Sequence, residues 1–182
     1  MTLQHCLLGA DYVEEIHDRL IAIIWPGTDP VHAEESRSRD LIESAVGRPF
    51  QTAFGSEIYP GIPEKGAALF HSLISNHPFH NGNKRTAVIA LDHFYLANDH
   101  FLLISNDEMY KLAEETASYR ERLISHEASM QEILEGIKEK VVSFDAILLE
   151  STNANDARYA TIHQRLVEIR DALRADTKNK LL

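Results

Sequence analysis

The stretch His77, Pro78, Phe79, His80, Asn81, Gly82, Asn83, Lys84, Arg85 constrains this chain more than any other. A histidine opens it, a small polar loop follows, and two adjacent cations close it. An apolar-periodic helix then begins with Thr86 and Ala87. A loop that runs into a helix N-terminus presents backbone N–H groups and the positive end of the macrodipole. Lys84 and Arg85 oppose that dipole, so the arrangement calls for a compensating anion, and a polyphosphate would serve. Arg85 would grip phosphate oxygens as a fork and Lys84 as a point charge. Gly82 lets backbone approach phosphate closely, and Asn83 would add an amide donor and a backbone donor. His77 has a reference pKa near neutrality, which suits taking a proton from a serine or threonine hydroxyl. Phe79, two residues on, is expected to pack inward and anchor the loop. The chemistry that uses all these parts is transfer of a phosphate-containing group onto a hydroxyl.

The string resembles the Fic/Doc (Fido) signature HxFx(D/E)GNGRxxR, and is more similar to its Doc, or death-on-curing, version with NKR in place of NGR. Lys84 stands where Fic enzymes have glycine, and Val88 where they have a second arginine. The resemblance runs from about Arg39 to about His100 and includes the stretch Arg48 to Pro63, which is similar to the flap upstream of the motif in Doc-like proteins. It implies an all-α helical bundle with a short β-hairpin flap. It implies a domain over residues 1–145, with the flap at about 48–62 and the motif at 77–85, followed by a C-terminal helical extension over 146–182.

The resemblance also implies an enzyme that uses ATP with Mg²⁺. In the Doc version the γ-phosphate is presented, and the product is a phosphorylated Ser or Thr on translation elongation factor Tu, which halts protein synthesis. AMP transfer of the Fic type is the second reading. Asn81 occupies the position where family members carry a carboxylate that helps hold Mg²⁺. Mg²⁺ sites use one or two carboxylates beside substrate oxygens, so a neutral amide should bind more weakly. That departure keeps a third reading open, a catalytically weak nucleotide-binding module. Toxicity implies restraint. The inhibitory helix pattern (S/T)xxxE(G/N) of some Fic proteins is missing, because Gln131 stands four positions before Glu135-Gly136. A separate, partially disordered antitoxin is therefore expected.

Other features bound these readings. A net charge of −10 disfavours a duplex nucleic-acid binder but not a local ATP site. Cys6 is the only cysteine, so neither an internal disulfide nor a thiolate metal site is expected. His71, His77 and His80 have spacings seen in metal sites, but Pro78 opposes the helix that would align them. No tight transition-metal site is expected; a metal-dependent phosphohydrolase, which would need one, is kept as a further option that bound-metal analysis of the purified protein would decide. His80 is read as facing solvent. No segment approaches the ~18 apolar residues of a membrane span, and no signal peptide is recognisable, so the default location is cytoplasmic.

Apolar spacing predicts a helix over 11–25 with Tyr12, Val13, Ile16, Leu20, Ile23 and Ile24 on one face, ended by Trp25, Pro26 and Gly27. It predicts another from Pro30, capped by Asp29, to Val46, with Gly47 as its C-terminal cap. A hairpin at 50–59 turns at Gly55-Ser56. Its residues Phe50, Thr52, Phe54 and Ile58 would dock an extended target segment by strand addition, laying a hydroxyl over His77. Helices are expected over 63–76 with Ala67, Phe70, Leu73 and Ile74 buried, over 83–97 ending at the turn Asn98-Asp99, over 106–119 with Ser105 and Asn106 as cap candidates, and over 129–142; Phe101–Ile104 is a strand fragment or a buried linker. Tyr159, Ile162, Leu166, Ile169 and Leu173 form a heptad-like stripe, which is expected to dock within this chain or between copies of it, with oligomerisation through 155–175 and antitoxin docking both open.

Overall fold

A computed structural model of the protein describes residues 7–24 and 37–147, with seven isolated positions between 164 and 175. Six α-helices form the body of the described fold: α1 (Ala10–Ile24), α2 (Arg39–Gly47), α3 (Ile62–Ser75), α4 (Asn83–Ala97), α5 (Asn106–Ala117) and α6 (His126–Ile137). Two small antiparallel ladders accompany them. β1 (Thr52–Ala53) pairs with β2 (Ser56–Glu57), and β3 (His100–Leu102) pairs with β4 (Val141–Ser143). The fold is the expected helical bundle with a hairpin. The stripe at 159–173, and the Trp25-Pro26-Gly27 and Asp29-Pro30 signals, lie outside the described residues.

The centre is α3 against α4. From Lys65 to Ile74 every side chain of α3 is buried, and α4 contributes Ala87, Ala90, Leu91, Phe94 and Tyr95. Gly66 permits the close contact. A Cβ there would sit 2.2 Å from the Tyr95 hydroxyl, inside the space of a fully buried ring. A helix buried all round has no polar stripe to orient it, so its neighbours must surround it. α2 covers it with Ile42 and Ala45, and α5 and α6 cover it with Leu112, Ile133 and Ile137, while α1 lays Val13 and Ile16 over the neighbouring α4.

Local chemistry explains most boundaries. α4 spans the residues expected of it, and Asn98 and Asp99 turn the chain out of it, Asp99 at φ 62°. Ser105 caps α5 in a reciprocal box: its hydroxyl accepts from the Glu108 amide, and the Glu108 carboxylate accepts from the Ser105 amide. Five expectations are corrected. The helix expected from Pro30 does not run unbroken to Val46: Arg37 is extended and bridges Phe79, and α2 starts only at Arg39. Gly47 is no left-handed cap; it stays helical at φ −76° and the chain tightens into a 3₁₀ turn over Arg48–Phe50. The hairpin turns at Phe54-Gly55, both at positive φ, one residue earlier than expected. α6 starts earlier than predicted, capped by Ser125, and ends at Ile137, so that Val141 and Val142 form a strand where a helix was expected. Ile23, placed on the apolar face of α1, is 77% exposed.

Candidate active site: a loop clamped against α1 and capped by α4

The loop between α3 and α4 is held from three directions. From the α2 side, the Ser38 amide donates to the Pro78 carbonyl at 2.8 Å and Arg37 bridges Phe79. From within, the Asn83 side chain closes the loop on itself. Its Oδ1 accepts from the Phe79 amide at 3.0 Å and its Nδ2 donates to the Phe79 carbonyl at 2.7 Å. From the α1 side, the ring of His17 stacks on Phe79 at 3.8 Å and 9°, and Nε2 donates to the Asn81 carbonyl at 3.2 Å. Burial lowers the His17 pKa, which the bond to Asn81 and the neighbouring Asp18 oppose.

Gly82 is the N-terminal cap of α4 at φ 74°, ψ 0°, a left-handed conformation natural for glycine. A side chain there would also meet the His17 ring, since a Cβ lies 3.5 Å from two of its atoms. Thr86 is the first residue to reach back, to the Gly82 carbonyl at 2.9 Å, so the amides of Asn83, Lys84 and Arg85 lie ahead of the first helical bond. The expected geometry of a loop feeding a helix N-terminus is therefore present.

The residues singled out in the sequence divide as follows. His77 is exposed at the start of the loop and sits at φ 49°, a backbone region uncommon for a non-glycine residue. Phe79 is buried as expected, and His80 is exposed. Arg85 is exposed in the first turn of α4. Two residues of the expected phosphate cradle already have partners. The Asn83 side chain is buried and both its polar atoms are spent on Phe79. The Glu114 carboxylate of α5 pairs with Lys84. Asn81 keeps its side-chain Oδ1 buried, with no hydrogen-bond partner among the described residues. His71 is a core residue rather than a companion of His77: it lies buried 4.2 Å from the His126 ring.

The flap presents Thr52, Phe54 and Ile58 to solvent, with Phe54 fully exposed at the tip, while Phe50 is half-buried at the base. That base is fixed by a residue the sequence reading passed over. Lys65 is fully buried, and its Nζ donates to the Tyr59 carbonyl at 2.6 Å and the Pro49 carbonyl at 3.3 Å. Glu57 supplies the counter-charge at 3.1 Å, and the Phe50 ring lies 5.2 Å away. The available signal was a lysine in a helix without a polar face. For His17 the signal was a histidine four positions after Val13, within the apolar stripe of α1.

Residues 7–95 match the family model described as Fic/DOC family. A relative named Toxin Doc, from Mycolicibacterium smegmatis, is 47% identical over 51 residues, which is 28% of this chain and 39% of that protein. The chain thus matches well under half the length of this curated relative. No solved structure matches the chain.

Proposed function

We infer that the loop of residues 77–85 is the catalytic centre of a Doc-like toxin that transfers the γ-phosphoryl group of ATP to a Ser or Thr hydroxyl. The observation that carries this reading is the pairing of an exposed His77 with a left-handed Gly82 cap that opens the N-terminus of α4. His77 takes the hydroxyl proton. The hydroxyl oxygen attacks the γ-phosphorus, the bond to the β–γ bridging oxygen breaks, and ADP leaves. Arg85 and the first amides of α4 hold the phosphates. Glu114 acts as a stand-in anion for Lys84, which exchanges the carboxylate for phosphate when nucleotide binds. The relative named Toxin Doc supports the toxin reading.

Mg²⁺ fits one donor of this site. The Asn81 Oδ1 is an oxygen without a hydrogen bond among the described residues, and hard oxygen donors are what Mg²⁺ takes. When bound, the ion would neutralise phosphate charge.

The substrate is a cytosolic protein, elongation factor Tu in this reading, laid as an extended segment along the exposed flap edge. A separate antitoxin restrains the enzyme. The test is transfer of label from ATP to protein in a bacterial lysate. Label from the γ-position on one major protein, lost in His77→Ala, is expected. Label from the α-position alone would replace the kinase reading with AMP transfer. A phenotype that survives His77→Ala would point to a binding module.

A further inference from the structure

His17 lies on a different helix from the motif, 60 positions before His77, yet it meets the loop at three places. Its ring covers Phe79, its Nε2 holds the Asn81 carbonyl, and its edge fills the space that Gly82 leaves. The side chain is 2% exposed, so these contacts are its environment rather than a chance surface meeting. On the other side of the ring, Nδ1 stands 3.7 Å from Asp18, and Asp18 accepts from Arg37 at 2.7 Å. Arg37 is the residue that bridges Phe79. Arg37 therefore ties Asp18, the neighbour of His17 in α1, to the loop by a second route.

A stack alone would need only an aromatic ring. An imidazole adds one N–H at the height of the Asn81 carbonyl. A peptide carbonyl held there fixes the peptide plane between Asn81 and Gly82, and so the entry into α4. We propose that His17 is a positioning residue for the transferase centre: its Nε2–H sets the Asn81–Gly82 peptide, and through it the line-up of Asn81 and the α4 amides with His77. This rests on the function inferred above for the loop. His17 touches neither substrate nor reacting atoms in this role, and its effect falls on turnover more than on nucleotide capture.

The ring and the N–H separate by substitution. His17→Phe keeps the stack and removes the donor; His17→Gln keeps an amide donor and removes the ring. In the full chain, the Phe variant is expected to lose at least tenfold in kcat for protein labelling from ATP, with less than a threefold change in the KM for ATP. The Gln variant is expected to recover part of that loss. Amide hydrogen exchange over residues 79–84 is expected to quicken in the Phe variant while exchange in α3 stays slow. A Phe variant with wild-type turnover and unchanged exchange at 79–84 overturns the proposal. So does a loss of turnover matched by faster exchange throughout α3 and α4, which would make His17 a core residue and nothing more. Should the wild-type chain transfer no label from ATP, the transferase reading fails by itself. Exchange at 79–84 then still decides whether the His17 donor holds the loop.

Discussion

Asn83→Ala is the substitution for which the structure makes the sharpest demand. Asn83 is buried, and its amide satisfies both the N–H and the carbonyl of Phe79, at 3.0 and 2.7 Å. Alanine leaves two backbone polar groups unpaired beside a ring that is itself 3% exposed. Each stranded group costs about 1–3 kcal/mol when water cannot replace the partner. The loop lies near the surface and can partly open, so the pair together should cost about 2–4 kcal/mol. For a chain of this size that lowers the melting temperature by roughly 5–15 °C. Asn81→Ala is the internal control. It removes the same type of side chain from the same loop, but the Asn81 Oδ1 bonds to no described group, so its melting temperature should move by less than about 2 °C. Calorimetry or thermal circular dichroism on both variants without nucleotide reads the difference. If the two variants melt together, or Asn83→Ala melts with the wild type, the clamp is not what holds this loop.

Lys84 and Glu114 are each about two-fifths exposed, so breaking their pair should change stability by less than about 1 kcal/mol. Glu114→Gln should nevertheless tighten binding of a non-hydrolysable ATP analogue, because it frees Lys84; equal or weaker binding in fluorescence polarisation contradicts the stand-in role. Lys65→Ala strips a donor from two carbonyls at the flap base and should cost about 2–4 kcal/mol in urea unfolding. It should also speed proteolysis within 50–59, and unchanged cleavage there would count against Lys65 as the flap's anchor. Burial, with His126 beside it, lowers the His71 pKa to about 3. The unfolded chain therefore binds this proton first as acid is added, and stability should decline as pH falls from about 6.5 towards 3. His71→Gln should make that decline shallower; an unaltered slope in denaturant midpoints against pH would rule out His71 as its source.

What the sequence reveals here is mainly what neighbours in the chain decide. The α4 boundaries follow from an apolar period that starts after a glycine and ends at Asn98-Asp99, and Ser105 announces its own capping box. The buried positions Ala67, Phe70, Leu73 and Ile74 of α3 were legible for the same reason. Misreadings arise where distant residues intervene. Val141 and Val142 carry enough apolar character to extend a helix, but pairing with Phe101 and Leu102 recruits them into a strand. Within the site, the exposed loop start at His77, the inward packing of Phe79 and the turn at Gly82 follow from local sequence. Lys84 and Asn83 were assigned to an anion on charge and type alone, and their partners are a carboxylate 30 positions away and a backbone folded over them. His17 and Lys65 were passed over because a buried polar residue means little until its acceptor is known.

The β3–β4 ladder has a consequence for anyone wishing to transplant this domain. The family-matched span stops at residue 95, yet Phe101 pairs with Val142 and the Phe144 amide donates to the Asp99 carbonyl at 2.8 Å. Between these points α5 and α6 supply Leu112, Ile133 and Ile137 to the shared interior. An excised segment of 7–95 would bare one flank of α3 and invite aggregation. A portable unit has to run at least through β4 and Phe144, where the chain has returned to tie off the end of α4.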